Sequence, residues 1–352
     1  MPGSLMVDLS QTGGADTISS KTILNVRNLC TYFYTRQGVV KAVNGVSFDV
    51  KPGRTLAIVG ESGSGKTVTA LSLLGLIDPP GKIVSGEIYL DGRNLLGLSR
   101  EELRRLRGKD MALVFQDPMT SLNPVFTIGT QITETLTCHM GIAGAEAKIK
   151  AIEMLKRVGL PHPEKIIKRY PFQLSGGQRQ RVMIALALSM NPRVLIADEP
   201  TTALDVTVQA QILYEMRQLI KDCRAGVILI THDLGVVAEL ADEVAVMYAG
   251  SIVEYGDVYE IFDNPLHPYT RALLKSIPRL GTKDEVLRPV QGQPPSLIDL
   301  PGRCAFLPRC EHGAGGCRAG VPPLEEIIPG HAVACHRVIA AKPEEVTLRE
   351  LA

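Results

Sequence analysis

From residue 22 onward, short apolar and β-branched runs alternate with longer stretches of helical spacing. Residues 23–29 (ILNVRNL), 39–50 (VVKAVNGVSFDV) and 55–60 (TLAIVG) predict strands. The third is an apolar run ending in Gly60, the pattern of a buried strand that hands over to a loop. Residues 67–76 (TVTALSLLGL) keep helical spacing with no breaker before Gly75. Further strands are expected at 86–90 and 111–115, with Asp91-Gly92 as a turn. The composition is mostly helical from 128 to 189, broken at Gly159-Leu160-Pro161. Strands return at 193–197 and 226–231, with a helix over about 206–222 between them. Strand–helix–strand alternation at this spacing implies parallel pairing through crossovers, hence an α/β sheet.

The character shifts after about residue 249. Short strands around 251–254 lead into NPLHPYTRALLKSIP, and then into a Pro/Gly-rich tract holding four of the seven cysteines. The expected organisation is a flexible lead over 1–21, a main domain over 22–275 with a helical part at about 118–188, and a C-terminal extension over 276–352. The lead has neither a basic n-region nor an apolar h-region, so it does not read as a signal peptide. The most apolar stretches, 183–190 and 226–230, fall far short of the ~20 residues that a spanning helix needs. Any membrane role is therefore expected to come through a partner. Lys plus Arg is 38 against 37 Asp plus Glu, a formal net charge of +1, which removes the chain-wide electrostatic argument for nucleic acid. With 352 residues and 45% hydrophobic content, there is material for two domains.

Candidate chemistry starts at Gly60-Glu61-Ser62-Gly63-Ser64-Gly65-Lys66-Thr67, which fits G-x-x-x-x-G-K-[ST] after an apolar strand and before a helix. The glycines let successive backbone N–H groups turn onto phosphate oxygens, and the helix N-terminus adds its positive end. Lys66 would reach the β- and γ-phosphates, and the Thr67 hydroxyl would ligate Mg²⁺. A Gly-rich turn with a solvated lysine is the competing reading, and the strand–loop–helix context opposes it. A second apolar strand, Val194-Leu195-Ile196-Ala197, ends in Asp198-Glu199. One carboxylate there can hold Mg²⁺ through water, and the next can orient or deprotonate an attacking water.

Leu174-Ser175-Gly176-Gly177-Gln178 followed by Arg179-Gln180-Arg181 resembles the signature of the ATP-binding cassette (ABC) ATPases. The resemblance implies an α/β P-loop cassette with a β-rich N-terminal subdomain, a RecA-like core and a helical subdomain. It also implies that Ser175, Gly176, Gly177 and Gln178 meet the γ-phosphate of ATP bound by the other subunit of a dimer. Gln116 in Val-Phe-Gln-Asp-Pro matches the Q-loop, which senses Mg²⁺ and faces a transmembrane partner. Thr202-Ala203-Leu204-Asp205 matches the D-loop, and His232 matches the switch histidine. Phe33 is the best match to the aromatic that stacks on adenine, with Tyr32 and Tyr34 flanking it. The implied reaction is ATP + H₂O → ADP + phosphate, with Glu199, His232 and Gln116 as the catalytic set.

The segments around Gln116 and Asn264–Thr270 look like the D-type ATPases of prokaryotic dipeptide and oligopeptide importers. That branch implies an F-type ATPase partner, two permease subunits, an extracytoplasmic peptide-binding protein, and a place at the cytoplasmic face of the cell membrane. Relatives are similar to subunits for nickel and glycosides, so the solute stays open, as does a homodimer. A soluble ABC ATPase acting on ribosomes or DNA, a cluster-assembly ATPase and a non-catalytic metal-binding scaffold are the alternatives from other classes. The single cassette, the cysteine tail and the intact Glu199 and His232 speak against them in turn.

Cys304, Cys310, Cys317 and Cys335 have the spacing C-x₅-C-x₆-C-x₁₇-C. A reducing compartment disfavours disulfides, so four thiols in a loop-rich tract read as metal ligands. The C-x-x-C pairs of a zinc ribbon are absent. The resemblance to peptide-importer ATPases implies a [4Fe–4S] cluster, with zinc or no metal as the alternatives. Cys30, Cys138 and Cys223 are expected to be ordinary buried or neutral thiols, and His331 and His336 to be solvated surface side chains.

Overall fold

A computed structural model describes residues 22–201, 205–276, 290–313 and 315–341. The strands are β1 (Leu24–Thr35), β2 (Gly38–Val50), β3 (Thr55–Val59), β4 (Gly81–Leu90), β5 (Arg93–Asn94), β6 (Met111–Val114), β7 (Val194–Asp198), β8 (Gly226–Thr231), β9 (Glu243–Tyr248), β10 (Ser251–Asp257), β11 (Glu325–Ile328) and β12 (His331–Val333). They form an antiparallel sheet ordered β2-β1-β4-β5 and a larger sheet ordered β11-β12-β10-β9-β3-β8-β7-β6. In the larger sheet β9, β3, β8, β7 and β6 run parallel, while β10 and β12 attach antiparallel at one side.

All five residues of β3 and all six of β8 are buried, as parallel strands covered on both faces require. Their alternate side chains feed different cores. In β7, Leu195 and Ala197 pack with the helices of the 118–188 region, whereas Val194 and Ile196 pack toward the antiparallel sheet. In β8, Val227 and Leu229 join the first cluster and Ile228 and Ile230 the second. This period-2 division fixes the register, because a one-residue slip would exchange the two faces.

The 118–188 region holds the helices Ile128–Met140, Gly144–Arg157 and Gly176–Leu188 with shorter helical turns. The strand expected at 86–90 begins earlier, at Gly81, because it pairs along β1 as far as Phe33. A helix at Arg100–Leu106, outside the expectations, is held by a capping box in which Ser99 and Glu102 bond reciprocally, and it buries no residue.

The stretch after residue 276 adds to the same sheet. Glu254 and Tyr255 of β10 pair with Val333 and Ala332 of β12, and Ala334 N–H donates to Val253 O at 2.8 Å. Phe306 enters a ring cluster with Tyr248 and Tyr269, its centroid 5.3 Å from Tyr248 and 5.5 Å from Tyr269. Among the described residues no helix is long and apolar enough to cross a membrane.

Candidate nucleotide site

Gly60 to Thr67 form a loop that leads from β3 into the helix Lys66–Leu73. Two of its glycines are dictated by close approach. A Cβ on Gly60 (φ 155°) would lie 2.2 Å from Met247 O, and one on Gly65 (φ 106°) would lie 2.2 Å from Ala42 O. Lys66 is buried and its Nζ donates to Gly60 O at 2.8 Å and to Glu61 O at 3.0 Å, folding its charge back over the loop. Burial pulls its pKa below the usual lysine range, while Glu199, Asp198 and Glu61 partly offset this.

Asp198 closes β7 beside this loop. Burial raises its pKa, opposed by a hydrogen bond from Thr67 and the charge of Lys66. Among the described residues, Ser64 Oγ and Asp198 Oδ1 are buried without a hydrogen-bond partner. Orphaned polar atoms, a glycine cradle and a buried ammonium together fit a phosphate chain and its Mg²⁺: the loop's donors would serve the phosphates, and Thr67 and Asp198 would offer hard oxygen to the cation. Ser62 and Gly63 are exposed on the loop's outer turn.

Glu199 and His232 follow the ends of β7 and β8, neighbouring parallel strands in which Asp198 pairs with Ile230. His232 Nδ1 lies 2.9 Å from Glu199 Oε1, and Gln116 Nε2 donates to Glu199 Oε2 at 2.7 Å. Three residues far apart in sequence thus meet at one carboxylate. Glu199 sits in the left-handed region at φ 47°, held there by its N–H donating to Ile230 O at 2.8 Å.

Phe33 lies on β1, opposite Val40 on one side and Gly81 on the other, where a Cβ would fall 2.6 Å from its ring. Tyr32 is engaged elsewhere, its hydroxyl donating to Asn44 Oδ1 at 2.7 Å, and Tyr34 is exposed. Ser175 caps the helix Gly176–Leu188: its Oγ accepts from Gln178 N–H at 3.3 Å, and Gln178 Oε1 accepts from Ser175 N–H at 3.1 Å. Ser175 is exposed, so this capped N-terminus is open to solvent. Asp205 caps the next long helix, Val206–Cys223, accepting from Val208 N–H at 2.9 Å, while residues 202–204 of the expected D-loop lie outside the described residues.

Cys304, Cys310, Cys317 and Cys335 line one small cavity, together with His312 and His336. Burial pushes the Cys304 and Cys310 thiols up, and the nearby Cys317 and Cys335 add to it. Among the described residues, however, no three His, Cys, Asp or Glu side chains are gathered so as to hold a metal ion. The four sulfurs suit a cluster in kind, but their arrangement does not close on one. Cys138 is exposed and Cys30 and Cys223 are half-buried, so of the expected buried or neutral thiols none is fully buried. His331 is also corrected: it is 1% exposed, with Nε2 2.8 Å from Glu254 Oε1, because β12 carries it into the sheet beside β10. His336 is half-buried, its Nε2 3.1 Å from Gly320 O.

Sequence reasoning missed two residues that touch the loop. Tyr269 Oη accepts from Glu61 N–H at 2.9 Å, and Arg309 forms an ion pair with Glu61 at 2.6 Å. Tyr269 lies in a segment that drew notice only as a likeness, and a lone arginine 248 positions from its partner carries no local signal.

The ABC transporter family profile matches residues 43–202, and that of the oligopeptide/dipeptide transporter C-terminal region matches residues 253–317. The chain is 48% identical over 315 residues to the oligopeptide transport ATP-binding protein AppD of Bacillus subtilis, covering 89% of this chain and 96% of that one. It is 47% identical over 317 residues to the oligopeptide transport ATP-binding protein OppD of Escherichia coli, covering 90% and 94%. Among solved structures, a dimeric post-hydrolysis state of the ATP-binding cassette MJ0796 bound to ADP and Pi matches with TM-score 0.61 and 28% identity, over 67% of this chain and 98% of that one. CbiO1 of Clostridium perfringens matches with TM-score 0.58 and 30% identity, over 69% and 91%. The loop geometry, the carboxylate shared by Gln116 and His232, and this likeness along nearly the whole chain lead to one conclusion: the protein belongs to the ABC transporter ATP-binding proteins, in the oligopeptide/dipeptide import family.

Proposed function

We propose that the chain hydrolyses ATP as one of two nucleotide-binding subunits powering an importer of di- or oligopeptides at the cytoplasmic face of the cell membrane. The observation that carries this is the meeting of Gln116 and His232 on Glu199, beside a phosphate loop with orphaned buried oxygens. Residues 60–67 would bind the phosphates and Phe33 would stack on adenine, while Thr67, Asp198 and Gln116 would hold Mg²⁺, which would supply charge neutralisation at the phosphates. Glu199 accepts the proton of the attacking water, and His232 positions that water and contacts the γ-phosphate. Hydrolysis releases ADP and phosphate, and the charge that develops on the transferred group is met by fixed dipoles of the loop.

Ser175, Gly176, Gly177 and Gln178 serve the ATP of a second cassette subunit, and Asp205 stands at that dimer contact. Family likeness supports an F-type partner, two permease subunits and an extracytoplasmic peptide-binding protein; a nickel or other small-solute importer is the second reading. Tagged Glu199→Gln protein, pulled from native membranes in detergent with ATP and Mg²⁺, tests the assembly. Recovery of two permeases, a second cassette and a peptide-binding protein is expected. Recovery of ribosomal proteins or DNA overturns transport.

A [4Fe–4S] cluster as a structural staple of the extension rests on family resemblance and on the kind of side chain present, since the four thiols line one cavity without closing on a metal ion. Iron and sulfide analysis after anaerobic purification tests it, and zinc or no metal retires it.

A further inference from the structure

Glu61 is the second residue of the phosphate loop, and each of its polar groups is engaged. Its C=O accepts from Lys66 Nζ at 3.0 Å and its N–H donates to Tyr269 Oη at 2.9 Å. Its carboxylate is gripped by Arg309 in a two-pronged pair, Nη1 to Oε2 at 2.6 Å and Nη2 to Oε1 at 2.9 Å. Such forked pairing fixes orientation as well as charge.

Arg309 is itself immobilised. Its side chain is 3% exposed, its Nε donates to Gln291 O at 2.7 Å, and Nη2 donates also to Val290 O at 3.1 Å. The guanidinium lies 5.8 Å from the Tyr248 ring centroid and 6.0 Å from that of Phe306. All of these partners except Tyr248 and Glu61 come from the extension. Arg309 immediately precedes Cys310, so the loop that lines the four-cysteine cavity also carries this guanidinium.

A carboxylate inside a loop built for phosphates opposes an incoming polyanion unless its charge is cancelled. Glu61 is only 25% exposed, so water screens it poorly, and Arg309 is the cation that faces it. Without that cation the carboxylate would also turn toward Lys66, whose Nζ is already bound to the same residue's carbonyl.

We infer that Arg309 is a positioning residue for ATP: it anchors and neutralises Glu61, so that the C-terminal extension sets the affinity of the phosphate loop. This rests on the assignment of residues 60–67 as the nucleotide site.

The test compares MgATP binding and steady-state ATP hydrolysis by full-length variants. Arg309→Met is expected to weaken binding and raise KM by about tenfold while leaving kcat within about twofold. Adding Glu61→Gln to that variant restores affinity, because the unbalanced carboxylate is gone. Arg309→Lys, which keeps the charge without the fork, falls between the two. Should Arg309→Met fail to fold, Arg309→Lys still decides the matter, through a KM above that of the parent with kcat kept. The inference is overturned by parental affinity in Arg309→Met, by parental KM in Arg309→Lys, by a loss confined to kcat, or by a double variant no better than the single. Lys66→Ala separates the two levels: if it binds MgATP like the parent, the site assignment itself fails, whereas lost binding there with parental Arg309→Met sinks only the role of Arg309.

Discussion

Glu199 and His232 are each the first residue beyond one of two adjacent parallel strands, and 2.9 Å separates Oε1 of the first from Nδ1 of the second. The pairing of Asp198 with Ile230 sets this, since it brings the two strand ends level. Glu199→Gln keeps the shape of the side chain and removes its capacity to take a proton. Turnover is expected to fall by at least ~100-fold with MgATP still bound, which single-turnover hydrolysis and equilibrium binding check together. Parental turnover would remove Glu199 from the role of base.

The phosphate loop tolerates no side chain at Gly65. A methyl there would sit 2.2 Å from Ala42 O, in a backbone at φ 106° that L-residues rarely adopt. Gly65→Ala is expected to destabilise the fold by about 1–3 kcal/mol and to abolish nucleotide binding. Thermal melting with and without MgATP reads both, and the nucleotide-induced stabilisation of the parent vanishes in the variant.

Ser175 has one task that the structure shows and a second that is proposed. As the N-cap it holds Gln178 N–H at 3.3 Å, so Ser175→Ala costs about 1 kcal/mol of stability. The proposed task is contact with the ATP of a second subunit. In Ser175→Ala, ATP-driven dimerisation of the Glu199→Gln protein is expected to weaken while monomer nucleotide affinity is kept. Size-exclusion chromatography with ATP shows which of the two is lost.

His267 carries an acid sensitivity. It is buried, its Nδ1 accepts from Tyr269 N–H at 3.0 Å, and burial lowers its pKa to about 4. The unfolded chain takes up a proton near pH 6.5 that the folded protein refuses until about 4. Stability is therefore complete above the unfolded value and falls as pH drops through that window, by about 3 kcal/mol from this group. His267→Asn keeps a capping acceptor and does not titrate, so its urea midpoint should vary less between pH 7 and 4.5 than that of the parent. An unchanged slope would place the sensitivity elsewhere.

The parallel strands and the phosphate loop were legible because both are local. A run such as Thr55–Val59 is buried on both faces and therefore apolar at every position, and Gly60 to Thr67 carry their chemistry in consecutive residues. Elements that lean on partners were not. Gly81–Ser85, half polar, is a strand only because β1 lies alongside it. Glu325–Ile328 and His331–Val333 are too short to announce themselves and exist by pairing with each other and β10. His331 read as a surface residue because nothing near it in the chain reveals that Glu254 waits 77 positions away.

By itself, then, the sequence determined the α/β alternation and the glycine positions that the loop demands, and it singled out Lys66, Asp198, Glu199 and His232 as the candidate chemical groups. Spacing along one chain conveys periodicity and local turns, and those suffice for such features. Tertiary structure decided which groups share a carboxylate, that the extension completes the central sheet, and that Arg309 closes over Glu61 from 248 residues away. The physical reason is that crossover connections bring the C-terminal ends of parallel strands to one edge of the sheet, and long-range ion pairs form only after that edge exists.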